Sequence, residues 1–79
     1  MKVLFFAQAR EATCCDHCYV KLPLPMVQSG FWAVLIQCCP ALAPFEKSTR
    51  LARNGVYLLP DEMIQPDDEI AVIPPVSGG

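Results

Sequence analysis

The sequence predicts an α+β domain, with one main helix packed on one face of a mixed sheet of four to five strands. Three observations predict it. One stretch, Val27–Cys38, repeats its apolar residues at helical spacing. Short apolar or alternating runs lie on both sides of that stretch. An Asn54-Gly55 pair, the strongest short hairpin signal, separates two of the later runs. The 79 residues are 53% hydrophobic and 18% charged, too apolar for disorder. They suffice for one small domain with a thin core, since a chain of this size buries only about 60% of its unfolded surface.

In order, Lys2–Ala7 is an apolar strand bounded by the polar Gln8–Glu11, and Cys14–Asp16 is a hairpin loop. His17–Leu22 alternates, with Cys18, Val20 and Leu22 on one face and His17, Tyr19 and Lys21 on the other. Leu22-Pro23-Leu24-Pro25 ends that strand, because proline supplies no ladder donor. In the helix, Val27, Phe31, Val34, Leu35 and Cys38 form one face, widened by Trp32 and Ile36. Ser29 is the candidate cap, although Gly30 weakens the first turn. Pro40 stops the helix. Ala41–Lys47 is a connection with room for a short helical turn. Ser48–Arg53 and Val56–Leu59 are the strands around Asn54-Gly55, and Pro60–Asp68 is a long polar turn. Glu69–Ile73 is the last strand, ended by Pro74-Pro75. The expected division is a domain over residues 1–75 and an extended tail over 76–79.

Strand parity then sorts the side chains. If Phe5, Val20, Leu58 and Val72 meet the helix, Phe6, Tyr57 and Ile73 lie on the opposite, open face. Large apolar groups left uncovered on a small domain point to a protein interface.

Charge narrows the partner. The net charge is −2 and the isoelectric point about 5.1. No Lys or Arg follows Arg53, whereas Asp61, Glu62, Asp67, Asp68 and Glu69 all do. That balance suits a basic protein groove and excludes nucleic acid and anionic membrane, both of which require a basic stripe. The unbroken apolar run Phe31–Ile36 is far below the roughly 20 residues of a membrane span. The N-terminal Met1–Ala7 imitates a signal peptide but meets Gln8 and Arg10 too soon, so a cytosolic protein is expected.

The residue types leave little room for a self-contained active site. The cysteines, Cys14, Cys15, Cys18, Cys38 and Cys39, are odd in number and do not describe a disulfide scaffold. Cys15-Asp16-His17-Cys18 has the spacing of half a zinc site or of a redox pair. Its candidate complement, Cys38-Cys39, is adjacent and chelates poorly, so no metal is expected and thiols acting as small hydrophobes are favoured. His17 beside Cys18 on a strand points to the opposite face, which disfavours a Cys–His dyad. No Gly-rich loop precedes a helix, and the acids lack calcium-loop spacing.

The tail offers chemistry instead. Pro74-Pro75 holds the chain extended, and Ser77-Gly78-Gly79 is narrow enough to thread a channel that excludes a Cβ. A terminal carboxylate is a poor electrophile until it is activated, and an acyl-adenylate is a good one.

Glu69-Ile70-Ala71-Val72-Ile73-Pro74-Pro75-Val76-Ser77-Gly78-Gly79 resembles the C-terminus of the molybdopterin synthase small subunits, the MoaD-like sulfur carriers of the ThiS/MoaD ubiquitin-like family. Val3-Leu4-Phe5-Phe6-Ala7 with Arg10-Glu11 is similar to that family's first strand and turn, and Phe31-Trp32 with Cys39-Pro40-Ala41-Leu42 to its helix and helix exit. Leu51-Ala52-Arg53-Asn54-Gly55 and Pro66-x-Asp68-Glu69 resemble its third strand and the turn before its last strand. The departures fall at Cys14–Cys18 and around Met26–Gly30.

The resemblance implies a β-grasp fold. It also implies that Gly79 is adenylated by a ubiquitin-activating-like adenylyltransferase and sulfurtransferase, then converted to a thiocarboxylate. No cofactor would be bound permanently; the glycyl adenylate and the 1-thioglycine would be transient modifications. Val76, Ser77 and Gly78 would insert into the synthase large subunit, and Phe6, Tyr57, Ile73, Pro74 and Pro75 would form the interface, in a heterotetramer centred on a large-subunit dimer. There the tail would give sulfur to cyclic pyranopterin monophosphate. The rivals are a thiamine-pathway sulfur carrier, a protein modifier conjugated through Gly79, and, from another class, a Cys/His metal-binding or redox module. The Pro74-Pro75-Val76-Ser77 approach favours molybdopterin.

Overall fold

The computed structural model describes residues 1–75. The expected tail residues Val76, Ser77, Gly78 and Gly79 lie outside the described residues.

Five strands form one mixed sheet: β1 (Lys2–Phe5), β2 (His17–Tyr19), β3 (Arg50–Arg53), β4 (Val56–Tyr57) and β5 (Ile70–Ile73), in the spatial order β2-β1-β5-β3-β4. The central pair, β1 and β5, is parallel, with Val3 opposite Ile70 and Phe5 opposite Val72. The other pairs are antiparallel. A parallel pair cannot be joined by a tight turn, so the chain crosses over between its strands, and helix α2 (Gln28–Cys38) lies in that connection.

The period-2 reading decides the core. Val3, Phe5, Ile70 and Val72 are buried, and Phe31, Trp32 and Leu35 of α2 are buried with them. Ala9, Val20, Leu22, Leu42, Leu51, Leu58 and Ile64 complete the cluster. Asn54 (φ 50°) and Gly55 (φ 87°) both take positive φ, which a two-residue turn between right-twisted strands requires.

Three local expectations are corrected. The first concerns the connection from β1 to β2, which contains helix α1 (Ala7–Thr13) where a simple hairpin loop is expected. Ala9 is its one buried residue, so no helical stripe marks it in the sequence. It ends on Cys14 in the left-handed region at φ 58°, and Ala7 turns the corner out of β1 at φ 50°.

Second, Ser29 does not cap α2. The cap position is Val27, which offers no side-chain bond and is exposed. Third, the buried face of α2 is rotated toward Trp32, leaving Val27 and Cys38 exposed. This helix is apolar on nearly every side, so periodicity alone cannot aim it. The short helical turn for which Ala41–Lys47 has room is present as a six-residue 3-10 helix, Pro40–Phe45, which buries Leu42.

The segment before α2 also pairs with the long polar turn. Met26 N–H donates to Ile64 O at 2.9 Å, and Ile64 N–H donates to Met26 O at 2.7 Å. Among the described residues, no helix is long and apolar enough to cross a membrane.

Candidate partner-binding face and tail exit

Side chains alternate across β1, β4 and β5, so the residues that do not meet α2 collect on the other side of the sheet. Leu4 and Phe6, Ala71 and Ile73, and Ala52 and Tyr57 surround a shallow cavity of about 330 Å³ there. Phe6 is 46% exposed and Tyr57 48% exposed, and Ile73 is half-buried. Three of the residues expected at an interface thus share one open face. Pro74, buried, and Pro75, exposed, follow directly where β5 leaves the sheet. Leu4, Ala52 and Ala71, which the sequence reading did not single out, supply the floor; their parity with Phe6 and Ile73 is the signal that finds them.

A charge marks the rim. The Arg50 guanidinium lies 4.2 Å above the Tyr57 ring centroid, a cation–π contact. Glu69 is among the residues that line the cavity and supplies an acidic group.

The strand that carries the tail is held from below. Arg53 is opposite Ile70, the first residue of β5. Its Nη1 donates to Met63 O at 2.9 Å and to Asp68 Oδ2 at 3.4 Å, and its Nη2 donates to Glu62 Oε1 at 2.9 Å. Glu62 Oε2 accepts from Leu59 N–H at 2.7 Å, and Asp68 Oδ2 accepts from Gln65 N–H at 2.8 Å. Gln28 Nε2 donates to Leu59 O at 2.6 Å and to Glu62 O at 3.2 Å, tying the helix start to the same turn. Two of the acids of the long polar turn, Glu62 and Asp68, are therefore tethers for the segment that precedes β5.

The cysteine region is a second candidate site. Cys14, Cys15, Arg10 and Asp16 line a wide depression of about 690 Å³ beside α1. His17 Nδ1 lies 2.7 Å from Asp16 Oδ1, and this hydrogen bond, with the imidazole charge, holds the Asp16 carboxyl below its ordinary value. Cys18 faces the core while His17 faces solvent, so the two do not form a dyad. Among the described residues, no group of three or more His, Cys, Asp or Glu is arranged to hold a metal ion.

Comparison with known proteins bears on the chain as a whole. The model of the ThiS family matches residues 3–79. The chain is 35% identical over 79 residues to the molybdopterin synthase sulfur carrier subunit of Arabidopsis thaliana, covering all of this chain and 82% of the relative. It is 34% identical to the human protein of that name, covering 100% and 93%, and 34% identical to that of Escherichia coli, covering 100% and 99%. The crystal structure of SAMP1 from Haloferax volcanii superposes with a TM-score of 0.83 at 25% identity, covering 100% of this chain and 98% of that one. The mixed five-stranded sheet with its packed helix is a β-grasp, ubiquitin-like fold.

Proposed function

The chain belongs to the ThiS family, and on that premise we propose that it is the sulfur carrier subunit of a molybdopterin synthase, with sulfur carried on the Gly79 carboxyl. The observation that carries the reading is the full-length likeness to relatives of that name in a plant, an animal and a bacterium. The domain is a handle, and the reacting group lies six residues further along the sequence than Ile73, the last residue of the strand that the Arg53 cluster positions.

The chemistry follows from the carboxylate. Its oxygen attacks the α-phosphorus of ATP in an activating enzyme, and pyrophosphate leaves. The terminal sulfur of a persulfide donor attacks the resulting acyl-adenylate, and AMP leaves. A thiol then cleaves the acyl disulfide and leaves a Gly79 thiocarboxylate, a soft nucleophile. Val76, Ser77 and Gly78 thread into the large subunit, where the thiocarboxylate gives its sulfur to cyclic pyranopterin monophosphate. Catalytic side chains belong to the large subunit. No cofactor is held permanently; the adenylate and the 1-thioglycine are passing states of Gly79.

The docking surface of this reading is the open face, with Phe6, Tyr57, Ile73, Pro74 and Pro75 against the large subunit in a heterotetramer. The apolar cavity there supports it, as does the acidic segment after Arg53, which suits a basic groove. The setting is the cytosol. A second reading, a protein modifier joined through Gly79 to lysines, is favoured by the structural likeness to an archaeal modifier.

The test is reconstitution with a large subunit, an activating enzyme, ATP and a persulfide donor. Sulfur should reach the pterin with the intact chain and not with the chain lacking Gly79, while both unfold alike. Transfer that survives loss of Gly79 refutes the tail chemistry. Lysine conjugates without any sulfurated pterin establish the modifier instead.

A further inference from the structure

The open face carries its charges unevenly. On β3, Arg50 stands opposite Ile73 and Ala52 opposite Ala71. Paired residues share a face, as do residues two apart on a strand, so Arg50 projects on the side of Ala52, Ala71 and Ile73. It lies at the end of the sheet from which Pro74 and Pro75 continue the chain, and it is exposed. Its guanidinium carbon is 4.2 Å from the Tyr57 ring centroid. The ring face holds the cation in place but offers no lone pair to its N–H donors. Among the described residues, Arg50 makes no ion pair, whereas Arg53 on the same strand engages Glu62 and Asp68.

The far end of the same face is different. Glu69 has the parity of Ala71 and Ile73, and Lys2 has the parity of Leu4 and Phe6. Val3 and Ile70 are partners in the parallel pair, so Lys2 and Glu69, one residue before each, stand on neighbouring strands. Their opposite charges offset each other there. From Glu69 to Ile73 the strand runs about 13 Å. The face is thus balanced at one end and carries a cation without a counter-charge at the other, where the tail leaves.

We propose that Arg50 is the orienting contact of this face: it receives a carboxylate of the large subunit, beside an apolar side chain that fills the cavity over Leu4, Ala52 and Ala71. The inference rests on the reading of the chain as the small subunit of a synthase, and it adds the sign and the place of one charge on the partner. The acidic segment after Arg53 by itself calls for a basic groove. Arg50 calls for a single acid set at the edge of that groove, next to the tail exit. A guanidinium suits this task because its planar fork pairs with a carboxylate through two parallel hydrogen bonds. Held on Tyr57, it has less freedom to lose when the pair forms. A charge contact at one end of an otherwise apolar face fixes the direction in which the partner docks, so that the tail points one way only.

Calorimetric titration of the full chain with the cognate large subunit tests the sign of that charge. Arg50→Glu makes the chain more negative. A uniformly basic groove would hold this variant more tightly, whereas a carboxylate facing position 50 repels it. Binding should weaken by about tenfold for Arg50→Gln and by about a hundredfold for Arg50→Glu, with thermal unfolding little changed because the side chain is exposed. Arg50→Lys keeps the charge and supplies an amine. In the complex, a carbodiimide should join position 50 through an amide to an Asp or Glu of the large subunit, located by mass spectrometry of the digest. This variant reads the contact even if the other two fail to fold. Unchanged or tighter binding by Arg50→Glu, or no link from position 50 while the complex forms, overturns the pairing and leaves the carrier reading standing. An unsubstituted chain that does not bind the large subunit overturns the carrier reading, and the pairing with it.

Discussion

Arg53→Ala should loosen the turn that leads into β5, and the loss can be worked from the contacts. The guanidinium makes three hydrogen bonds, to Met63 O, Asp68 Oδ2 and Glu62 Oε1. The Glu62 pair is about one-third exposed on both sides (28% and 34%), so it contributes near the surface value of about 0.5–1 kcal/mol. The Asp68 side chain is only 12% exposed, and with the Met63 carbonyl it contributes about 1–1.5 kcal/mol. Asp68 and Glu62 keep their bonds to Gln65 N–H and Leu59 N–H, so the turn is weakened and not released. The sum is about 2 kcal/mol, which lowers the unfolding midpoint of a domain this size by about 10 °C. Urea titration measures the free energy directly. Arg53→Lys should recover less than half, because one ammonium cannot reach three acceptors set in a fork. A loss below about 0.5 kcal/mol for Arg53→Ala, or full recovery by Lys, would refute the clamp.

Further outcomes are expected at the face, the core and the cysteine loop. Tyr57→Ala removes the ring that supports Arg50 and should weaken large-subunit binding by about tenfold to a hundredfold with little change in unfolding; unchanged affinity in calorimetry would remove Tyr57 from the interface. Leu35→Ala empties a fully buried site and should cost about 3 kcal/mol; a loss under about 1 kcal/mol would mean that α2 is not packed as described. The Asp16 carboxyl is held below its ordinary 3.8 by the His17 hydrogen bond and charge. Its contribution to stability is thus present above pH 3.8 and lost as pH falls through the lowered value. His17→Ala should return the Asp16 titration by NMR to the ordinary value, and an unmoved midpoint would show that the pair is not formed.

How much was legible in the sequence followed from which periodicity was at work. Side chains on a strand alternate strictly, so Phe5 and Val72 could be assigned inward and Phe6, Tyr57 and Ile73 outward from parity alone. Asn54-Gly55 was legible because a turn with two positive φ values leaves few other choices. Helix α1 was not, since a seven-residue helix with one buried alanine is held by its surroundings and carries no stripe. The buried face of α2 was misjudged for the opposite reason: with Val27, Trp32, Val34 and Ile36 all apolar, several faces read alike. The tethering roles of Glu62 and Asp68 depend on contacts between distant segments that no local pattern announces. Membership of the family was legible through a resemblance, in a block of residues that composition alone would have left as a flexible end; the tail chemistry is a proposal that rests on it.

The intact mass of the chain after incubation with an activating enzyme, ATP and a persulfide donor tests the central claim most directly. Exchange of one oxygen for sulfur should add about 16 Da, located by fragmentation at Gly79 and absent when ATP is withheld. An unchanged mass at Gly79 under conditions that sulfurate a known sulfur carrier, or sulfur found on a cysteine instead, would contradict the account.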